Sequence, residues 1–309
     1  MRRRHLLQLS ALSVVGGLGL PDARLHAQDD APPFEQIADV AYGEIVTQGE
    51  PAPLLLDVYR PTDGEGTWPA VVVIHGGGFQ FGSRADLSQH AQELAAAGYV
   101  AVAIEYRLTT PEDPGNLWPV HLDDAQRAVR WLRAHADDYG VDPERVASYG
   151  HSAGGTLAEL LGVRDTRDEV AADDDPELAG ISSRVQCVVS LAGVSDFTLP
   201  AMAEQYPILF GETIEEDPGP YEDASAVSFV DDGSAPMLLV HGDEDIDVPV
   251  EHSRLLAAAL EAAGVEVELV EIPGGTHETT FDWAVVGESV LPFLDRQLHA
   301  VSAGTATAG

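Results

Sequence analysis

The segment SYGHSAGGTLAELL places Ser152 between two glycines in the pattern G-x-S-x-G. A strand-like apolar run precedes the motif and a helical pattern follows it, which is the context that a nucleophile elbow requires. The two glycines leave room for a strained turn that exposes the hydroxyl group, and the N-terminus of the next helix favours negative charge. An ordinary tight turn would match the five residues alone. In this context they predict that Ser152 is a nucleophile.

A serine hydroxyl needs a base, and the base needs an acid that orients it. The fold that carries this elbow places the acid and then the histidine later in the chain. HGDEDIDVP follows an apolar strand pattern and contains Asp243, Asp245 and Asp247, and PGGTHET follows the next strand pattern and contains His277. The pattern predicts His277 as the base. The pattern leaves open which of the three aspartates is the orienting acid, and Asp196 in VSDF is a further candidate.

A glycine-rich loop follows another buried strand pattern in VVVIHGGGFQFG. HGGG in this place is typical of the esterase oxyanion loop, whose backbone N–H groups act together with the N–H after the nucleophile, here that of Ala153. Losing one such donor costs about 2.7–4 kcal/mol of transition-state stabilisation. A phosphate cradle is the competing interpretation, but no GK[ST] follows the glycines. We expect His75 to anchor the loop rather than to transfer protons.

The remaining histidines and acids receive structural interpretations. We expect a solvated helix face for five histidines, namely His90, His121, His135, His252 and His299. We expect His151 to point away from the elbow. The alternating acids of HGDEDIDVP resemble a calcium loop, but an EF-hand needs glycine at the sixth position and glutamate at the twelfth, where this chain has Val248 and Arg254. We therefore predict no metal site.

The charge balance limits the partners. The 309 residues include 52 acidic and 16 basic residues, all of the latter arginine, and the net charge is −36. Such a surface argues against nucleic acid, anionic membranes and polyanionic substrates. It fits either a halophilic source or an acidic secreted protein. The single cysteine, Cys187, lies in an apolar strand pattern and is expected in the core.

The N-terminus has the layout of an export signal. MRRRHLLQLSALSVVGGLGL has a basic start and an interrupted apolar segment, and RLHA offers a cleavage site after Ala27. The arginines resemble a twin-arginine signal. We expect residues 1–27 to be a signal peptide, the mature protein to be periplasmic or extracellular, and no stable membrane association after the signal is removed.

From about residue 36, apolar runs alternate with helical patterns, which predicts a mostly parallel sheet covered on both faces. Strands are expected at 70–75, 99–107, 185–193, 236–242 and 265–272, after two antiparallel strands. Helices are expected at 85–98, 122–140, 250–264 and 281–298, and a strand–turn–helix unit at 145–162. We predict one domain over 28–300, with a small cap at 194–235 and a disordered tail at 301–309.

With these motifs placed, the chain resembles the BD-FAE-like (bacterial and archaeal feruloyl-esterase-like) family of α/β-hydrolases, which is related to hormone-sensitive-lipase-like carboxylesterases. HGGGFQFGSR, EYRL, GHSAGGTLAELLG, LAGVSDF, HGDEDIDVPVEHS and PGGTHE carry the resemblance over about residues 40–298. It implies Ser152 as nucleophile, Asp245 as acid, since it stands four residues before the proline, and His277 as base.

The resemblance further implies Gly77, Gly78 and Ala153 as oxyanion donors. It implies a cofactor-free enzyme that cleaves small-molecule or polysaccharide-linked esters with short, aryl or sugar-linked acyl groups. His151 replaces the aspartate of the lipase-like relatives, and we expect no counterpart of their long N-terminal cap between the predicted cleavage site and His75. A peptidase on the same fold and a non-catalytic binding module are the alternatives. The chain is short for a peptidase of this fold, which would carry a large accessory domain. A non-catalytic binding module would have lost a residue of the triad.

Overall fold

The computed structural model describes residues 33–47, 49–64, 66–165 and 176–299. The predicted signal peptide and C-terminal tail lie outside the described residues. Within them, eight strands form one sheet: β1 Phe34–Thr47, β2 Glu50–Pro61, β3 Trp68–Ile74, β4 Val100–Ile104, β5 Val141–His151, β6 Cys187–Leu191, β7 Met237–Gly242 and β8 Val267–Ile272. The strand order is β1-β2-β4-β3-β5-β6-β7-β8.

The sheet is mostly parallel, as predicted. Strand β1 pairs with β2 and β2 with β4 in antiparallel fashion, and every other neighbouring pair is parallel. The central strands are continuous apolar runs because helices cover both of their faces. Cys187 begins β6 and is fully buried.

Helices occupy the connections between the strands. The α-helices of the described residues are α1 Ser88–Ala96, α2 Val120–Ala134, α3 Ala136–Tyr139, α4 Ala153–Val163, α5 Pro200–Gln205, α6 Pro207–Phe210, α7 Gly219–Asp223, α8 Glu251–Ala263 and α9 Trp283–Leu294. Short 3₁₀ helices lie at Pro176–Leu178, Ala226–Phe229 and His277–Phe281, and a π-helical turn at Asp295–His299 ends the described chain.

Two apolar cores lie on opposite faces of the sheet. Helices α2, α4 and α8 pack into the larger core, with side chains such as Leu132, Leu157 and Leu256. Helices α1 and α9 pack into the other core, with side chains such as Leu94 and Phe293. Each strand therefore sends alternate residues to a different helical layer. None of the helices in the described residues is long and apolar enough to cross a membrane.

The predicted helix over 122–140 is interrupted. His135 leaves helical geometry between α2 and α3, at φ −106° and ψ 20°. Its ring stacks on Trp131 at 4.4 Å between centroids, and its Nδ1 lies 2.9 Å from the Trp131 carbonyl oxygen. The His135 backbone N–H also donates to the Trp131 carbonyl oxygen at 3.0 Å, so the helix ends with its last regular hydrogen bond in place. The second segment ends at Gly140, which takes the left-handed conformation that favours glycine.

The prediction of solvated histidines is wrong for His90, His121 and His252, which are all buried. His90 lies between the Tyr149 hydroxyl (2.6 Å) and the Phe281 carbonyl oxygen (3.0 Å). His121 lies 3.1 Å from the Thr109 hydroxyl, and His252 accepts from a backbone N–H. Burial lowers the pKa of His121 to about 3 and that of His252 to about 4. These imidazoles are neutral core groups.

Candidate active site

The loops that carry the predicted residues all follow the carboxyl ends of parallel strands, where open α/β sheets bind their ligands. The glycine loop follows β3 and Ser152 follows β5. Asp245 follows β7 and His277 follows β8. The strand order places β3, β5, β6, β7 and β8 side by side, so that residues far apart in sequence meet at one edge of the sheet.

Ser152 occupies a strained turn. Its φ of 56° and ψ of −122° are unusual for a residue with a side chain. A Cβ on Gly150 would overlap the Gly154 carbonyl oxygen, and a Cβ on Gly154 would overlap the Ile74 carbonyl oxygen. Both glycines of the motif are thus required by close backbone approach. Within the described residues, Ser152 Oγ makes no hydrogen bond, and the serine lines a pocket together with His277.

The structure joins Asp245 to His277. Asp245 Oδ2 lies 2.7 Å from His277 Nδ1, and the Asp245 side chain has no solvent exposure. Its other oxygen, Oδ1, accepts from the backbone N–H groups of Asp247 and Val248, each at 2.9 Å. Burial by itself raises the pKa of Asp245, but hydrogen bonds from His241, His277 and the Val248 amide outweigh it and hold that pKa well below its usual range. The carboxylate is therefore ionised at neutral pH.

The other candidate acids face elsewhere. Asp196 Oδ1 accepts from the backbone and side chain of Thr198, two residues on. Asp243 Oδ1 accepts from Gly274 N at 2.6 Å and ties the two loops together. Asp247 lines the pocket but lies outside the contact with His277. Of the four aspartates that the residue pattern left open, Asp245 is the one against the histidine.

The glycine loop lines the same pocket as the histidine. Gly77 and Gly78 have positive φ angles of 110° and 58°, and a Cβ on Gly77 would overlap the Phe81 carbonyl oxygen. A Cβ built on Gly76 would lie only 3.1 Å from Ser152 Cβ, which shows how closely the loop approaches the serine. Ala153 is the first residue of α4, so its N–H belongs to the free N-terminus of the helix.

Buried side chains hold this loop in place. His75 stacks on Tyr106 at 4.3 Å between ring centroids, and its Nδ1 lies 2.7 Å from the Gly76 carbonyl oxygen. Burial lowers the pKa of His75, which favours the neutral ring. After the glycines, Arg84 bonds Asp57 at 2.8 Å and Glu105 at 2.9 Å. The arginine of GSR and the glutamate of EYRL are thus partners in one ion-pair cluster.

The pocket in front of Ser152 has a volume of about 440 Å³. Besides the predicted loops, it is lined by residues that sequence reasoning missed: Gln80, Asp86, Gln205, Tyr206, Glu278 and Phe281. Gln205 and Tyr206 come from the predicted cap, which consists of short helical segments. Tyr206 is fixed edge-on to Phe79 and Phe197, two buried rings that pack behind the pocket wall. Phe81, by contrast, is 68% exposed and lines the pocket.

The expectation that His151 points away from the site is wrong. His151 lines the pocket and its ring lies 4.8 Å from the ring of His277. Its Nε2 lies 3.3 Å from the His277 carbonyl oxygen, so Nε2–H donates to the backbone of the histidine loop. Burial, followed by the neighbouring His277, lowers the pKa of His151 to about 4. A helix-starting turn this tight leaves the preceding side chain beside the site rather than behind it.

The described residues contain no group of three or more His, Cys, Asp or Glu side chains that could hold a metal ion. Asp243 and Asp245 of HGDEDIDVP make hydrogen bonds with Gly274 and His277, respectively. The polar groups at the site suit proton transfer and hydrogen bonding at an exposed hydroxyl.

A strained serine turn after β5, with an acid–histidine pair on the loops after β7 and β8, defines the α/β-hydrolase class. A family model described as BD-FAE matches residues 56–260, well over half of the chain. The chain therefore belongs to the BD-FAE family. The family resemblance drawn from the motifs is confirmed, as is the α/β-hydrolase fold.

Named relatives and solved structures agree with this assignment. Esterase LipC of Mycobacterium tuberculosis is 34% identical over 75% of this chain. The chain spans 58% of the length of that relative. A truncated carbohydrate esterase from gut microbiota shares the fold with a TM-score of 0.76 and 24% identity over 87% of this chain and 98% of its own. An acetyl ester-xyloside bifunctional hydrolase from Caldicellulosiruptor lactoaceticus has a TM-score of 0.69 and 26% identity over 86% and 94%.

Proposed function

We propose that the protein is a carboxylesterase that uses Ser152 as nucleophile, His277 as base and Asp245 as the orienting acid. The observation that carries the proposal is the 2.7 Å contact between Asp245 and His277 in a pocket that also contains the strained Ser152. Relatives that are named as esterases support the hydrolysis of esters as the reaction.

In the first half of the reaction, His277 Nδ1–H donates to Asp245, which leaves Nε2 free to accept the proton of the Ser152 hydroxyl. Oγ attacks the ester carbonyl carbon, and the carbonyl oxygen becomes an oxyanion. The backbone N–H groups of Gly77, Gly78 and Ala153 donate to that oxyanion. His277 then gives its proton to the alcohol oxygen as the bond to the acyl carbon breaks, which leaves the acyl group on Ser152.

In the second half, a water molecule replaces the alcohol. His277 takes one proton from the water, whose oxygen attacks the acyl carbon of the acyl-enzyme through the same oxyanion. The bond to Ser152 Oγ breaks, His277 returns the proton to Oγ, and a carboxylic acid leaves. No group besides these residues and water is needed for the balance of atoms.

The substrates that fit best are short-chain, aryl or carbohydrate-linked esters. A pocket of about 440 Å³ is small for a long acyl chain, and its rim carries polar side chains. Neighbouring structures named as a carbohydrate esterase and an acetyl ester-xyloside hydrolase support the sugar-linked class. Greater activity on long-chain triglycerides than on acetyl and aryl esters would contradict this assignment.

The export signal predicted from the sequence of residues 1–27 adds a location to the proposal. We infer that the enzyme acts outside the cytoplasm, in the periplasm or the medium, after cleavage near Ala27. Fractionation of the source cells tests this: the mature protein should start near residue 28. Recovery of the uncleaved chain in the cytoplasm alone would contradict export.

Hydrolysis of a small ester panel tests the reaction. The native enzyme should release p-nitrophenol from the acetate and butyrate esters with a pre-steady-state burst if deacylation is the slow step. His277→Gln should lower kcat by several orders of magnitude, because the amide cannot accept and return the proton. Comparable activity of this variant and the native enzyme would contradict the assigned base.

A further inference from the structure

We propose that a second cavity, beside the active-site pocket, binds a second sugar ring of the alcohol part of the substrate. The inference rests on the proposed esterase function and adds to it an extended, carbohydrate leaving group. The two cavities share three lining residues, Asp86, Glu278 and Phe281. The two cavities are therefore adjacent, with these three side chains at their boundary.

The side of the site on which this cavity lies follows from the chemistry. His277 must give its proton to the oxygen of the departing alcohol, so the alcohol lies next to His277. The shared residues Glu278 and Phe281 belong to the 3₁₀ helix that His277 begins. The carbonyl oxygen is assigned to the backbone N–H groups of Gly77, Gly78 and Ala153. The second cavity is thus an extension of the alcohol side.

The groups that line the second cavity suit hydroxyl-rich ligands. Beyond the shared residues it is lined by Gln89, His90, Asp282 and Trp283. The carboxylates of Asp86, Glu278 and Asp282 accept hydrogen bonds from hydroxyl groups, and charged acceptors make the stronger bonds. The Gln89 amide both donates and accepts. Phe281 is 37% exposed and, with Trp283, supplies aromatic surface for the apolar faces of a sugar ring.

The same charges select against acidic ligands. Among the described residues, no arginine lines either cavity, while carboxylates line both. A cleft lined by one sign of charge repels ligands of that sign. Neutral sugars are therefore favoured over uronates and phosphorylated sugars as the alcohol.

The wall of the cavity is held from behind by His90, which is buried. Its Nε2 lies 3.0 Å from the Phe281 carbonyl oxygen and its Nδ1 lies 2.6 Å from the Tyr149 hydroxyl. Its ring also meets the Trp283 ring edge-on, with centroids 5.3 Å apart. Both aromatic residues of the cavity are thus positioned by one core side chain, which reduces the cost of ordering them on binding.

The size of the cavity fits one ring. Its volume is about 270 Å³. That volume equals about nine liquid water molecules at about 30 Å³ each, which accommodates a pentose of about ten non-hydrogen atoms. An acetylated xylobiose would place its esterified ring at His277 and its second ring in the cavity.

Kinetics with matched substrates tests the proposal. We compare acetylated xylobiose with the same acetate on methyl xyloside, using p-nitrophenyl acetate as the reference. In the native enzyme the second ring should raise kcat/KM about tenfold, as expected for contact with the Trp283 ring together with one hydrogen bond to the Gln89 amide. Trp283→Ala and Gln89→Ala should reduce this gain to about twofold or less and leave kcat/KM for p-nitrophenyl acetate unchanged. Gln92→Ala, on the same helix but outside both cavities, should keep the full gain.

The outcomes separate the two proposals. Equal kcat/KM for the one-ring and two-ring acetates in the native enzyme would overturn the second subsite, as would a gain that both variants retain. Since Gln89 is exposed, Gln89→Ala decides the matter if Trp283→Ala does not fold. Failure of the native enzyme to hydrolyse any of the three esters would instead overturn the proposed esterase function.

Discussion

Glu159 is a buried carboxyl group on α4, seven residues after the proposed nucleophile, and its isosteric replacement by glutamine should stabilise the protein at neutral and alkaline pH. Its side chain is fully buried, and Oε1 accepts from the Ser190 hydroxyl at 2.7 Å. Within the described residues, Oε2 has no hydrogen-bond partner. Burial, only partly offset by the hydroxyl groups of Ser190 and Ser195 and by His241, raises the pKa of Glu159 from 4.5 to about 7.

The raised pKa has a defined sign for stability. The folded state keeps the proton on Glu159 up to about pH 7, whereas the unfolded chain loses it near pH 4.5. The unfolded state therefore gains relative to the folded state as pH rises between these values, and the penalty stays constant above pH 7. A difference of about 2.5 pKa units corresponds to about 3 kcal/mol. Glu159→Gln should remove this penalty.

Urea unfolding followed by tryptophan fluorescence measures the effect. The stability of Glu159→Gln relative to the native protein should increase by up to about 3 kcal/mol between pH 4 and pH 8, with most of the change between pH 5 and pH 7. Buried neutral histidines such as His90 and His252 impose the opposite pH trend on both proteins, since their pKa values are lowered. Taking the difference between the two proteins cancels that trend.

An exposed glutamate provides the control. Glu261→Gln on α8 should change stability by less than about 0.5 kcal/mol at every pH, as is usual for surface substitutions. A stability difference between Glu159→Gln and the native protein that does not vary between pH 4 and pH 8 would refute the reasoning. So would a variant that becomes relatively less stable as the pH rises.

Three further pairs of substitutions test the geometry of the site. Gly150→Ala should abolish folding or activity, because its Cβ would overlap a backbone carbonyl oxygen. Gly115→Ala, which has open space around it, should retain both. Circular dichroism measures folding and ester hydrolysis measures activity. Asp245→Asn should lower kcat by about 10³–10⁴-fold, and Asp196→Asn by less than about tenfold; the reverse order would place the acid at Asp196. His151→Phe should lower kcat about tenfold with little change in KM, because it removes a hydrogen bond to the histidine loop. His151→Gln can still donate that hydrogen bond and should recover most of the rate. Equal rates for the two variants would contradict a positioning role for His151.

The residues that meet at the sheet edge were predictable because their positions are tied to strand ends. Apolar runs locate the buried parallel strands, and the carboxyl ends of those strands lie together whatever the loops between them do. Ser152 and His277 could therefore be placed from chain order and local pattern. The choice of Asp245 over its neighbours needed the family resemblance, because three aspartates two residues apart look alike in sequence.

Side-chain burial on the helices was less predictable. A histidine in a helical pattern is expected to be solvated, yet His121 is buried, with its ring edge-on to Phe79 of the glycine loop and stacked on Trp118. The cap at 194–235 has short helices without a sustained hydrophobic period, so nothing in its sequence indicated that Tyr206 lines the pocket. Both features depend on tertiary packing between distant segments, which a single sequence does not encode in its local pattern.

Covalent labelling of Ser152 tests the central claim most directly. The native protein and Ser152→Ala are incubated with a fluorophosphonate, and their intact masses and tryptic peptides are compared. The mechanism predicts one adduct on the native protein, located on the peptide that contains Ser152, and none on the variant, because the probe needs an activated hydroxyl and an oxyanion hole. An unlabelled native protein, or equal labelling of Ser152→Ala, would contradict the claim.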